Sequence, residues 1–149
     1  MNAETLLKLL KENRVKFVIV GATAFPVHGY SRATLDIDIF IKPVRANAQR
    51  TRKALRQFGY DVADITVDDL LTKKVLIRQY LIETDIHPLI KGVRFETVWK
   101  NKVEGRFGKT LVWFASLDDL VKMKKAARRP RDIEDLKYLL RLKKRAQKD

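Results

Sequence analysis

The chain has 149 residues, with 32 Lys/Arg against 18 Asp/Glu for a net charge of +14, and it contains no cysteine. That length suits one domain with a core of its own, and the lack of cysteine excludes disulfides, thiolate metal sites and cysteine nucleophiles, so a reducing, cytoplasmic setting is expected. The longest apolar runs, such as "FVIVGATAF", fall short of the roughly 20 residues that cross a bilayer, and the N-terminus lacks the basic start and unbroken apolar stretch of a secretory signal, so no membrane association is expected.

In chain order, "NAETLLKLLKEN" places leucines at 6, 7, 9 and 10 after a cap at Asn2 or Thr5 and predicts a short amphipathic helix. "VKFVIV" predicts a buried strand that stops at Gly21, and "ATAFPVHG" a tight turn and short helix ending at Gly29. A second strand, "LDIDIFIK", leads into the helix "RANAQRTRKALRQFG", with Ala48, Leu55 and Phe58 inward and Gly59 as its stop. "VDDLL" suggests one helical turn, and "KVLIRQYLIETDIHPLI" one or two strands ended by Pro88. "FETVWKNK" predicts a short helix, and "KVEGRFGKTLVWFAS" a hairpin turning near Gly108.

Ser116 and Asp119 form an S-x-x-D cap ahead of a helix with Leu117, Leu120 and Val121 inward; Pro130 breaks it. The last helix, "RDIEDLKYLLRLKKR", is expected to turn Ile133, Leu136, Leu139 and Leu140 to one side. Residues 121–149 hold twelve Lys/Arg against four Asp/Glu, a field that attracts polyanions in a salt-dependent way; a solvated basic helix face has the same composition. Without repeats or low-complexity linkers, residues 1–149 read as a single α/β domain, with a core over about 1–115 and a helical part over about 116–149.

Side chains alternate along a strand, so Asp36 and Asp38 project to one face while Leu35, Ile37 and Ile39 take the other. Bare carboxylates at that spacing repel, and a divalent cation between them removes the conflict; hard oxygen ligands suit Mg²⁺ or Mn²⁺. The alternative is an edge strand that carries charge against aggregation. In "YLIETDIHPL", Glu83, Asp85 and His87 share a face, so a neighbouring strand bearing Asp85 completes a three-carboxylate cluster, with Glu83 and His87 in solvated or supporting roles. Gly21, where a strand gives way to a helix start, lets backbone amides approach a phosphate.

This order of features resembles the nucleotidyltransferase superfamily with the polymerase-β type fold: a strand ending in Gly followed by Gly or Ser, a short helix, a strand with Asp-x-Asp, and a third Asp on a later strand. The resemblance is closest to the small prokaryotic branch of minimal nucleotidyltransferases and toxin-type enzymes related to abortive-infection systems. Its first motif, G-G-x-A-x-x-x-H-G-x-x-R-x-T-x-D-I-D, is matched by "GATAFPVHGYSRATLDID" at Gly21, Ala24, His28, Gly29, Arg32, Thr34, Asp36, Ile37 and Asp38. "ETDIHPLIKGVRFETVW" is similar to the segment with the third aspartate, which assigns Asp85. "SLDDLVKMKKAARRPRDIEDL" is similar to the branch's Ser-Leu-x-Asp-Leu-x-x-x-Lys helix, basic turn and Asp-x-x-Asp helix. Ala22 departs from the usual Gly or Ser, keeping a small residue and a backbone N–H but not a hydroxyl, for which Thr23 is a candidate substitute.

The resemblance implies an α/β (α+β) mixed sheet flanked by helices with C-terminal helices, and transfer of a nucleotide from a nucleoside triphosphate such as ATP. It implies that Asp36, Asp38 and Asp85 are catalytic and hold Mg²⁺ or Mn²⁺, while Gly21, Ala22, Thr23, Arg32 and Lys124 bind the nucleotide. Arg32 is alternatively a structural ion pair, Lys124 an outer-face charge, His28 a packing residue, and Asp132 a cap or an orienter of Lys124. Arg128, Arg129 and Arg131 are candidates for substrate phosphates. The acceptor expected first is RNA, such as a tRNA end, within a toxin–antitoxin pair. A protein partner modified by an antitoxin-type, AMP-transferring enzyme, and an inactive nucleic-acid- or partner-binding module, are the alternatives.

Overall fold

The computed structural model describes residues 2–31, 36–80 and 82–148, so Arg32, Thr34 and Leu35 of the first motif lie outside the described residues. Helix α1 (Ala3–Glu12) starts on Asn2, whose side-chain oxygen accepts from the Thr5 backbone N–H at 2.9 Å; Leu6, Leu7 and Leu10 are buried. Strand β1 (Phe17–Val20) is shorter than the apolar run, because the side chain of buried Asn47 takes the Lys16 backbone N–H at 2.8 Å. Beyond it, the expected short helix is instead two 3₁₀ turns, Gly21–Ala24 and Pro26–His28, closed by Gly29 at φ +97°. Pro26 has no N–H to donate, so an α-helical ladder cannot run through it.

Strand β2 (Asp36–Ile41) is followed by α2 (Arg45–Phe58), ended by Gly59, and the single turn α3 (Asp69–Thr72). The long apolar segment after it divides into β3 (Val75–Ile77) and β4 (Glu83–His87). Helix α4 (Phe95–Asn101) precedes the hairpin β5 (Val103–Phe107) and β6 (Thr110–Phe114). These strands form a six-stranded mixed sheet in the order β3-β4-β2-β1-β6-β5. β1 runs antiparallel to β2 and parallel to β6, while β2 and β4 are parallel. The expected α/β class, a mixed sheet with helices beside it and at the C-terminus, is thus the one observed. Ile37, Ile39 and Ile41 on one face of β2 join the core with Leu6, Leu7, Ala48 and Leu55. No helix among the described residues is long and apolar enough to cross a membrane.

Helix α5 (Leu117–Ala127) is capped by Ser116, whose hydroxyl accepts from the Asp119 N–H at 3.1 Å, and ends on Arg128 in the left-handed region, φ +56°. The helix stops ahead of Pro130, as expected, and Pro130 is itself the first residue of α6 (Pro130–Lys148), where a missing N–H costs nothing. The phase of α6 differs from the expected stripe. Leu139 is fully buried and Leu136 and Leu142 are half-buried, but Ile133 and Leu140 are 50% and 40% exposed. Asp132 and Asp135 take the inward positions instead, because they meet Lys124 of α5. Hydrophobic count alone cannot reveal a buried ion pair that sets helix rotation.

Leu139→Ala is therefore expected to lower the unfolding free energy by about 2–5 kcal/mol, whereas Leu140→Ala changes it by about 0.5 kcal/mol or less. Urea denaturation of the two variants measures the contrast, and equal losses would mean that α6 is rotated toward the expected stripe.

Candidate functional site

The floor of the site is the pairing of two acidic strands. The β2–β4 register sets Asp36 beside Glu83 and Asp38 beside Asp85, all on the face opposite Ile37, Ile39 and Ile86. His87, two residues beyond Asp85, turns back so that its Nε2 lies 2.7 Å from Asp38 Oδ1. One ligand atom from each of Asp38, Asp85 and His87 falls within 4.8 Å of the others. Two carboxylate oxygens and an imidazole nitrogen are a donor set suited to Mn²⁺ or, through the oxygens, Mg²⁺. Asp36 stands one pair further along, hydrogen-bonded to Glu83, and that shared bond holds the Glu83 carboxyl above its ordinary range.

The wall beside this floor is the turn after β1. Gly21 adopts φ +68°, and a Cβ built there would come within 2.5 Å of Asp38 Oδ2, so only glycine leaves room for that carboxylate. Ala22 is buried, and the Thr23 hydroxyl donates to the Asp36 carbonyl at 3.2 Å, tying the turn to β2. His28 Nε2 lies 2.8 Å from the Ala115 carbonyl and serves packing, away from the acidic cluster.

Cations close the site. A cavity of about 340 Å³ is bordered by Gly21, Asp38, Asp85, Lys124, Arg129 and Arg131. Lys124 is 11% exposed, with Nζ 2.9 Å from Asp132 and 3.2 Å from Asp135. Asp132 combines the two roles considered for it: it binds Lys124, and it accepts from the Arg129 backbone N–H at 3.1 Å as the returning half of an N-terminal cap. Of the three arginines, Arg129 and Arg131 border the cavity, while Arg128 donates to the Lys125 carbonyl at the end of α5. A second cavity of about 620 Å³, mostly apolar, adjoins Ala22, Thr23 and Asp36 from the side of Phe107 and Phe114.

Electrostatic balance follows from burial and pairing. Burial pushes the Asp38 carboxyl up, but the His87 bond and the charges of His87, Lys74 and Lys124 more than reverse this, leaving it below its ordinary value. Asp132 behaves likewise: burial acts upward, and Arg129 and Lys124 bring it far below the carboxylate range. Two cations escaped the sequence reading. Arg78 Nη1 donates to Asp85 Oδ1 at 2.7 Å, and Lys74 Nζ lies 3.8 Å from Asp85 Oδ2. Their signal was present in "KVLIR", where Lys74, Leu76 and Arg78 alternate with buried Val75 and Ile77.

A glycine turn, an acidic strand pair and a cationic rim thus border one cavity on a mixed α/β sheet. The family model described as "Nucleotidyltransferase of unknown function (DUF6036)" matches residues 2–143, and the chain belongs to that family. No curated protein matches it.

The depressed carboxyls set an acid limit. Asp38 and Asp132 have folded-state values below the ordinary 3.8, so their stabilisation is complete above that value and is lost as pH falls through the folded-state values. The contribution of these two carboxyls is expected to decline below about pH 4, with Asp132→Asn costing about 3 kcal/mol at neutral pH and showing a shallower acid decline. Urea midpoints across pH 2–7 check both expectations.

Proposed function

We propose that this protein transfers a nucleoside monophosphate from a nucleoside triphosphate, ATP among the candidates, to a hydroxyl of RNA such as a tRNA end, with Mg²⁺ or Mn²⁺. The observation that carries this reading is the β2–β4 register, which stacks Asp36, Glu83, Asp38 and Asp85 beside the Gly21 turn. Membership of a nucleotidyltransferase family supports the reaction class. Asp38, Asp85 and His87 fit a divalent cation by donor type and spacing, with Asp36 as a further carboxylate at its edge. When bound, the metal supplies charge neutralisation for the phosphates and acidifies the attacking hydroxyl.

The chain's own groups do the rest. The acceptor oxygen attacks the α-phosphorus, the bond to the β-bridging oxygen breaks, pyrophosphate leaves, and the hydroxyl proton passes to a carboxylate, for which Asp85 is proposed. The Gly21 turn, through the backbone N–H groups of Ala22 and Thr23, receives phosphate oxygens, and a backbone donor does not depend on the hydroxyl that Ala22 lacks. Arg32, outside the described residues, is proposed to bind the nucleotide, and Lys124 to hold the C-terminal helices together while presenting charge to the cavity. Arg129, Arg131 and the basic α6 tail favour a polyanionic acceptor, since such a field raises its local concentration. A place in a toxin–antitoxin pair belongs to the same proposal, as does action in the cytoplasm.

Each α-labelled triphosphate, incubated with the protein, Mg²⁺ or Mn²⁺ and either total tRNA or cell lysate, is expected to place label in RNA. Label in a single protein band instead would assign a protein acceptor, and no label with either would leave a binding module. Asp36→Asn, Asp38→Asn and Asp85→Asn are each expected to reduce labelling about a thousandfold, the scale for losing preorganised charge stabilisation. Unaltered labelling by these variants would overturn the assignment.

A further inference from the structure

Asp85 is the most enclosed carboxylate on the acidic floor, 4% exposed, and both its oxygens face side-chain cations. Arg78 Nη1 is 2.7 Å from Oδ1 and Lys74 Nζ is 3.8 Å from Oδ2, while Arg78 Nε lies 3.5 Å from Glu83 Oε2. A cation held among Asp38, Asp85 and His87 needs one of those Asp85 oxygens. A guanidinium and a divalent ion share that carboxylate only against strong repulsion, because at such separations a like unit charge lowers the other's affinity by about an order of magnitude or more.

Arg78 is also free to leave. Its side chain is 38% exposed, it follows the edge strand β3, and it borders the 340 Å³ cavity together with Lys124, Arg129 and Arg131. A triphosphate entering that cavity brings the negative charge to which a displaced guanidinium can transfer, in the bidentate manner that suits arginine.

We infer that Arg78, supported by Lys74, is the resident counter-ion of Asp85 and is exchanged for the divalent metal when a metal–triphosphate enters, passing from the carboxylate to the phosphates. This rests on the nucleotidyltransferase reading of the site. Arg78 thereby acts as a positioning residue that couples the two ligands: metal alone binds weakly because it must displace Arg78 into water, and metal with triphosphate binds well because the guanidinium regains an anionic partner.

Mn²⁺ titration followed by electron paramagnetic resonance, with and without a saturating non-hydrolysable triphosphate, tests the exchange in the full-length protein. Arg78→Ala and the closer-sized Arg78→Gln are expected to bind Mn²⁺ alone about tenfold more tightly than wild type, with the gain on adding triphosphate reduced by a similar factor. Arg78→Lys, which keeps the charge, is expected to stay within about threefold of wild type. A merely structural arginine would leave metal affinity unchanged or weaken it on removal, and that result, with wild type binding Mn²⁺, overturns the inference alone. Urea midpoints identify a variant whose fold has failed, and the other neutral variant then decides. Absence of Mn²⁺ binding in wild type and every variant, with or without triphosphate, overturns the metal-site reading itself. Mn²⁺ binding by the neutral variants where wild type without triphosphate shows none supports the exchange.

Discussion

Four carboxylates in two adjacent rows on paired strands are the constraint around which this molecule is arranged. Like charges directly opposite one another destabilise a sheet, yet the parallel register of β2 and β4 sets Asp36 against Glu83 and Asp38 against Asp85. The repulsion is relieved locally in three ways. Asp36 and Glu83 hydrogen-bond to one another, Asp38 accepts from His87, and Asp85 is neutralised by Arg78 and Lys74. The first two stay within β2 and β4, while the third draws in Lys74 and Arg78, which flank the edge strand β3, so the acidic floor also ties down that edge.

A second charged cluster joins this floor to the C-terminal helices. Lys124, Asp132 and Asp135 are nearly enclosed between α5 and α6, and Arg129 adds a further bond to Asp132. Such a group contributes little net stability against an apolar equivalent, but removing one member strands the remaining charge, so it specifies geometry strongly. Tyr30 extends the connection: its hydroxyl donates to Asp135 at 3.2 Å, and its ring stacks between Phe25 and Tyr138. The turn that follows Gly21 is thereby fastened to α6. Rotation of α6 would disturb the turn that receives phosphate in the proposed function.

The charge distribution is consistent with a division of labour. An excess of 14 positive charges surrounds a floor of four acids, and the cations nearest the floor are held by specific carboxylates. Those on the later turns of α6 lie further from the floor and, in the proposed function, attract a polyanion. In that proposal long-range attraction and local metal chemistry coexist, because screening in salt weakens the first far more than interactions inside a partly enclosed cavity.

Strand alternation, the glycine stop after β1 and the capping residues Asn2 and Ser116 could be read directly from the sequence, since each depends on neighbours within a few positions. The same local period put Asp36 with Asp38, and Glu83 with Asp85 and His87, each set on its own face. Which carboxylates meet was beyond that reading: the strand register pairs Asp38 with Asp85 and leaves Asp36 with Glu83, a choice made by long-range packing. Tertiary structure also turned His87 toward Asp38, gave Asp85 to Arg78, and rotated α6 so that Asp132 and Asp135 displaced Ile133 and Leu140 from the interior. Sequence by itself determined the chemical inventory and, on β2 and β4, the face on which each group lies, because strand geometry is local. Only the fold decided the partners, because a buried charge takes whichever counter-charge packing brings within reach.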